Sequence, residues 1–259
     1  MILVTGADYT HARSLRQFLA SVRRFEPDLR TIVYDLGLTF AQRWRIRLEF
    51  PHLELRHFAF EQFPAHFNIR VQAGQYAWKP AIVFSVLQEA QEPICWMDAG
   101  NVLIEPLTAV RATVGKHGFY SPSSRGTISE WTHPRMLAHF GVDEAWGRSK
   151  TNLNGACVTL DPACRAAHDL AKKWYEGALD KSCIAPEGSD SSNHRQDQAM
   201  LSVLGHLGGL AEASEHERLG FLIHQDVEWK RAATFHDLRR WIFPRGTPAW
   251  VKRVFFFLG

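Results

Sequence analysis

The chain has 259 residues, 46% apolar and 12% aromatic, enough to bury a full core and at the upper end of single-domain size. A formal net charge of +3 with 22% charged residues excludes an acidic or disordered chain and gives no global pull on nucleic acid, so no nucleic-acid partner is expected. The basic character is local. Residues 229–259 hold seven Lys or Arg against one acid, Asp237, which gives that segment +6 and leaves −3 for the rest. Cys95, Cys157, Cys164 and Cys183 are widely spaced and form no CxxC pair, as expected of reduced, buried thiols. The N-terminus has no basic, signal-like start, and no apolar stretch approaches the roughly 20 residues of a spanning helix. The expectation is a cytoplasmic, soluble protein.

"MILVT" is a short apolar run that stops at Gly6, and Leu15, Phe18, Leu19 and Val22 follow at helical spacing. The next unit repeats this order. "TIVYDLG" (31–37) reads as a buried strand, Thr39 as the cap of a helix to about Phe50, and "HLELRHF" (52–58) alternates like a strand. A third unit runs from "AGQYAWKPAIVFSVLQEA" (73–90), helical after Pro80, into the apolar "PICWM" strand (93–97). Strands alternating with such helices imply βαβ crossovers: an α/β, Rossmann-like single domain over 1–259 with a mostly parallel central sheet flanked by helices. In the second half, strands are expected near 117–120, 155–160 and 219–224, and helices near 133–140, 162–178 and 196–206. "SPSSRGT" (121–127) and "APEGSDSSNHR" (185–195) read as polar loops.

Ligands of a doubly wound sheet sit outside the carboxyl ends of its strands. The residues there are Thr5-Gly6-Ala7-Asp8-Tyr9, Asp35-Leu36-Gly37 and Asp98-Ala99-Gly100-Asn101. Neither GxGxxG nor GxxxxGK[ST] occurs, so dinucleotide and P-loop readings have no support. A carboxylate such as Asp98 can hold Mg²⁺ or Mn²⁺ with diphosphate oxygens, and Asn101 adds a neutral oxygen, although Asp-x-Gly is also ordinary turn chemistry. "YAWKP" (76–80) offers Lys79 to a phosphate, "NLNGACVTL" (152–160) offers Asn154 and Gly155 to sugar hydroxyls, and "NHRQDQAML" (193–201) opens a helix that Asn193 can cap. In "FHDLRRW" (235–241), His236 is a candidate metal ligand. The basic, aromatic segment 229–259, ending "PAWVKRVFFFLG", suits peripheral contact with the inner face of an anionic membrane and equally suits packing onto the domain.

With these pieces in order, the sequence resembles a family catalogued only as a domain of unknown function. The residues that carry it are "YDLGL" (34–38), "YAWKP" (76–80), "DAGN" (98–101) and "HRQDQA" (194–199), over roughly residues 2–205. More loosely, it is similar to GT-A nucleotide-sugar glycosyltransferases of the retaining family 8. That resemblance implies transfer of a hexose from a nucleoside diphosphate sugar, a UDP-sugar first, to a glycan or lipid acceptor with retention of configuration. It implies that Thr5, Gly6, Ala7, Asp8 and Tyr9 hold the base, and that Lys79, Asp98, Ala99 and Gly100 line the diphosphate. Asn154 and Gly155 would meet the sugar, and Asp197 and Gln198 its reacting end. Mn²⁺ or Mg²⁺ would be held by Asp98, Asn101 and His236. Gly100 stands where Asp-x-Asp proteins carry a second carboxylate, which puts metal dependence in question. Two other readings stay open: a non-catalytic nucleotide or carbohydrate-binding module, and a metal-dependent phosphoesterase built on Asp8, Asp35, Asp98 and Asp197.

Overall fold

The computed structural model describes residues 1–213 and 219–227. Its first half follows the expected alternation: β1 (Ile2–Ala7), α1 (Ala12–Phe25), β2 (Thr31–Asp35), α2 (Phe40–Glu49), β3 (Glu54–His57), α3 (Trp78–Glu89) and β4 (Ile94–Met97). Thr39 caps α2 in a capping box: its Oγ accepts from Gln42 N at 3.3 Å and Gln42 Oε1 accepts from Thr39 N at 2.9 Å. The chain then forms β5 (Val102–Leu103), α4 (Thr108–His117), β6 (Phe119–Tyr120), β7 (Ser123–Thr127), α5 (Ile128–Trp131), α6 (Pro134–His139) and α7 (Glu144–Gly147). It ends in β8 (Thr151–Leu153), β9 (Cys157–Leu160), α8 (Arg165–Leu179), α9 (Lys181–Ile184), α10 (Gln196–Leu207), α11 (Leu210–Ala213) and β10 (Phe221–Leu222).

The central sheet has the order β3-β2-β1-β4-β9-β6, with β1 parallel to β2 and β4, β2 parallel to β3, and β9 antiparallel to both neighbours. Both faces are covered, so β1 and β4 are buried throughout and their side chains divide by the period-2 rule. Ile2, Val4, Ile94 and Trp96 face α3, α8 and α10, whose Val86, Trp174 and Met200 share their core. Leu3, Cys95 and Met97 face Phe18 and Val22 of α1 and Val110 of α4. The four cysteines are free; Cys95, Cys157 and Cys183 are buried, and burial pushes the Cys183 thiol up to about 12. Among the described residues, no helix is long and apolar enough to cross a membrane.

Three local features differ from expectation. "SPSSRGT" is not an open loop: Ser123–Thr127 pair with β8, with an irregularity between Ser123 and Thr127. The antiparallel pair is a two-stranded ribbon of its own, and the Ser, Arg, Gly and Thr residues of β7 carry no apolar alternation, so periodicity cannot reveal it. Asn193 does not cap α10. Its amide closes the preceding loop instead, Oδ1 accepting from Asp190 N at 2.9 Å and Nδ2 donating to Gly188 O at 3.1 Å, and Arg195 takes the N-cap position. Before α3, Gln72, Ala73, Gly74, Gln75 and Tyr76 all have positive φ, a left-handed turn. Four of the five are not glycine, and such residues cost of order 1 kcal/mol each and gather at functional sites. The Trp78 indole braces the turn by donating to Ala73 O at 3.0 Å, and this turn delivers Lys79 to the sheet edge.

Candidate functional site

A cavity of about 840 Å³ opens over the carboxyl ends of β1 and β4 and the start of α10, within the size range of small-molecule sites. At its base, Lys79 binds both sides of the cleft. Its ammonium lies 3.0 Å from Asp98 Oδ1 and 3.1 Å from Asp197 Oδ2, and donates to Gly155 O at 3.1 Å. The Lys79 side chain is only 5% exposed, Asp197 is 6% and Asp98 37%. Lys79 is therefore a buried cation that ties two carboxylates together; all three side chains line the cavity, and Asp98 is the most exposed of them.

Burial sets the protonation of this triad. Asp197 is pushed up to about 6 because desolvation outweighs the attraction of Lys79, and Asp98 adds to the rise. Lys79 moves the other way from an isolated buried lysine: desolvation lowers it, but Asp197 and Asp98 together hold it well above its ordinary value. The Trp96 indole donates to Asp98 Oδ1 at 2.7 Å, so both contacts of Asp98 fall on one oxygen. Asp197 is in the first turn of α10, where the helix dipole favours an anion, and its carbonyl accepts from the Trp174 indole at 2.8 Å. Gln198 Oε1 accepts from Gly155 N at 3.2 Å. A side chain at Gly155 would come within 3.2 Å of Asp197 Oδ2 and 3.6 Å of Lys79 Nζ, so the glycine makes room for the ion pair.

The other expected residues distribute unevenly. Gly6, Ala7, Asp8, Ala99, Gly100, Asn101 and Asn154 line the cavity. Asn154 Oδ1 accepts from Ala156 N at 3.0 Å. Asp8 Oδ1 closes the turn into α1, accepting from Thr10 N and His11 N at 3.1 Å, and meets His11 Nδ1 at 2.8 Å. That bond to Asp8 is the main cause of a raised His11 pKa, to which Asp226 and Asp98 add. Thr5 is fully buried between β2 and β4 and does not line the cavity, and Tyr9, 49% exposed, is also outside the lining although Asp8 and Thr10 on either side of it belong to it. Asp35 is consumed by its own turn and by Arg43, at 2.6 to 2.9 Å, so it adds nothing to a shared carboxylate cluster. His236 and segment 229–259 lie outside the described residues.

Among the lining residues that escape the sequence reading are His11, His224 and Asp226, and Arg195 carries no role there; its guanidinium stacks 4.0 Å over the Trp131 ring. The signal for His224 and Asp226 is a His-x-Asp just after a short apolar run, "FLIHQD" (221–226). Among the described residues, no three His, Cys, Asp or Glu side chains are gathered to hold a metal. What the turn after β4 does offer a hard cation is oxygen: the Asp98 carboxylate and the Asn101 Oδ1, which is buried and has no hydrogen-bond partner among the described residues.

Comparison with solved structures fits this arrangement. A galactosyltransferase, LgtC, in complex with donor and acceptor sugar analogs, aligns with a TM-score of 0.50 at 16% identity, covering 86% of this chain and 87% of that one. The fold is GT-A-like. Also similar are an active-site mutant of LgtC (TM-score 0.49, 19% identity, 81% and 70% covered) and the glycosyltransferase GlyE of Streptococcus pneumoniae TIGR4 (0.46, 13%, 78% and 42%). In sequence, the family described as "Protein of unknown function (DUF1647)" matches residues 1–84. No curated protein matches the chain. The structural neighbours of this GT-A-like fold are thus glycosyltransferases, at identities that establish architecture alone.

A pH effect arises beside the site. His194 Nε2 lies 2.9 Å from Ile184 O, and its Nδ1 accepts from His133 N at 3.2 Å, which fixes a neutral tautomer; burial lowers its pKa to about 4. A histidine with a depressed folded value contributes stability that is present above about 6.5 and lost as pH falls towards 4, up to about 3 kcal/mol. Asp197, with a raised value, works oppositely: its contribution is complete below 3.8 and lost as pH rises through about 6. Urea unfolding between pH 4 and 7 should therefore show a shallower acid decline in His194→Gln and a steeper one in Asp197→Asn than in wild type.

Proposed function

We propose that the protein is a glycosyltransferase that moves a hexose from a nucleoside diphosphate sugar, a UDP-sugar first, to a glycan or lipid acceptor. The observation that carries this reading is Lys79, buried between Asp98 at the strand edge and Asp197 at the start of α10. Departure of a nucleoside diphosphate puts negative charge on the leaving group and positive charge on the sugar, so the site needs anion binding on one side and a carboxylate on the other. Lys79 holds one carboxylate on each side: Asp197 is the carboxylate for the sugar, and Asp98, with Lys79 behind it and a divalent cation, would supply the anion-binding side.

In this reading the turn after β1, with the exposed Tyr9 next to it, receives the base. Asp98, Ala99 and Gly100 form the diphosphate edge, and Asn154 and Gly155 meet the sugar hydroxyls. Asp197, ionised at pH 7, faces the carbon that loses the diphosphate, with Gln198 beside it. Arg195 supplies a second positive group on the α10 side. Mg²⁺ or Mn²⁺, bound by Asp98 and Asn101, would neutralise charge on the departing diphosphate. Retention of configuration rests only on the family 8 resemblance.

The test is release of nucleoside diphosphate from a panel of donor sugars by the purified full-length protein, with and without Mn²⁺. Turnover of at least one donor is expected. No release and no rise in melting temperature with any donor would exclude the reading, while binding without release would leave a nucleotide-binding module in its place.

A further inference from the structure

The sequence lacks a second carboxylate at position 100, and the fold brings one there from 126 residues away. β5 leaves the Asp98–Asn101 turn, and β10 pairs with it antiparallel, Phe221 opposite Leu103 and Leu222 opposite Val102. The chain leaving β10 therefore returns to that turn. There Gln225 N donates to Gly100 O at 2.7 Å, Gln17 Nε2 donates to Gln225 O at 2.8 Å, and Val227 N donates to Ser14 Oγ at 3.0 Å. Backbone bonds on both sides of Asp226 thus dock it between α1 and the turn. A Cβ built on Gly100 would lie 2.4 and 2.6 Å from the two Asp226 carboxylate oxygens and 2.7 Å from its Cγ. A side chain at 100 would have to displace the carboxylate of 226 from its place.

A second observation points to a ligand at this place. Asn101 lines the same cavity, is 1% exposed, and donates through Nδ2 to Ala156 O at 2.7 Å, which leaves Oδ1 buried without a hydrogen-bond partner among the described residues. A buried acceptor of this kind costs free energy unless a donor or a cation meets it. We propose that Asp226 supplies the carboxylate missing at position 100 and, with Asp98 and the Asn101 Oδ1, forms a divalent-cation site for Mg²⁺ or Mn²⁺ at the diphosphate edge. The donor set is oxygen only, as these hard cations prefer. Two carboxylates and an amide leave positions for water and phosphate oxygens, the way Mg²⁺ is commonly held beside a substrate phosphate. Such a site does not need three acidic or histidine side chains. The role at the diphosphate rests on the glycosyltransferase reading; the cation site itself does not.

The test is Mn²⁺ binding by the full-length protein, read as loss of the free Mn²⁺ electron paramagnetic resonance signal, with Mn²⁺ alone and with Mn²⁺ plus inorganic pyrophosphate. Asp226→Asn is isosteric and the residue is exposed, so folding is not at risk; it should weaken Mn²⁺ binding about tenfold or more. Gly100→Asp alone should gain no affinity, because the new side chain takes the place of the Asp226 carboxylate and leaves the count of carboxylates at the turn unchanged. Gly100→Asp combined with Asp226→Gly moves the carboxylate to position 100 and should bind Mn²⁺ within about threefold of wild type. Wild-type affinity in Asp226→Asn, failure of the double variant to recover, loss in His224→Ala in place of Asp226→Asn, or no Mn²⁺ binding under either condition would overturn the proposal. If Asp226-dependent Mn²⁺ binding is found but no donor is turned over, the glycosyltransferase reading fails and the cation site stands. Turnover undiminished in Asp226→Asn that also keeps its Mn²⁺ affinity gives the reverse.

Discussion

Asp197→Asn is expected to lower donor turnover by about 10²- to 10³-fold while nucleoside diphosphate affinity stays within about threefold of wild type. The substitution keeps the size of the side chain and removes a charge that matters only when the sugar becomes positive. The same charge should govern the pH profile. Asp197 titrates near 6 because its burial outweighs the pull of Lys79, so wild-type kcat should rise through pH 6 and level off above it. Asp197→Asn should show residual activity without that inflection. Asp98→Ala should behave differently, abolishing nucleotide binding. The reverse pattern, with Asp98→Ala binding and Asp197→Asn not, would exchange the two roles. Titration calorimetry with the nucleoside diphosphate and steady-state kinetics from pH 5 to 8 separate these outcomes.

Lys79→Met is expected to be among the most damaging single changes for stability. It leaves Asp98 and Asp197 on either side of a methyl group, and removing one partner of a buried ion pair costs about 3–5 kcal/mol. For a chain of this length that is a fall in Tm of roughly 6–20 °C. The sign of its pH dependence is distinctive. Without Lys79 the folded-state pKa of Asp197 rises further, so the penalty is larger at pH 8 and shrinks as pH falls and the carboxyl takes up a proton. Lys79→Met combined with Asp197→Asn should recover part of the lost stability, since the second change removes the uncompensated charge. Denaturant unfolding of the two single variants and the double one gives the coupling directly. A Lys79→Met protein as stable as wild type at pH 8 would mean that the ammonium does not hold the two carboxylates together.

The parts legible in the sequence and the parts that are not divide by the range of the interaction involved. β1, β2 and β4 are buried on both faces, and an apolar run bounded by Gly or Asp records that locally. Thr39 and Gln42 write the start of α2 in four residues. Asp98, Asn154 and Asp197 can be found because strand ends and helix starts are marked by their own turns. The buried state of Lys79 is not legible: in sequence it is a lysine near the start of a helix, and segments distant from it, Asp98 after β4, Gly155 before β9 and Asp197 of α10, enclose it. The polar strand β7 escapes because its side chains carry no apolar alternation. Asp226 escapes for the strongest reason. Its position depends on β10 returning to β5, and neither of the local traces, a short apolar run ending in His-x-Asp and a glycine at position 100 that reads as ordinary turn chemistry, records that pairing. In this fold Gly100 is the space that Asp226 occupies.

The most direct test is a crystal structure of the full-length protein with a nucleoside diphosphate and Mn²⁺ soaked in. The diphosphate should lie over the Asp98–Asn101 turn, the base towards the turn after β1 and Tyr9, and the open side of the cleft should face Asp197. A nucleotide whose phosphates sit away from Asp98, held by Arg195 alone or outside the cavity, would contradict the assignment of this edge to a sugar donor.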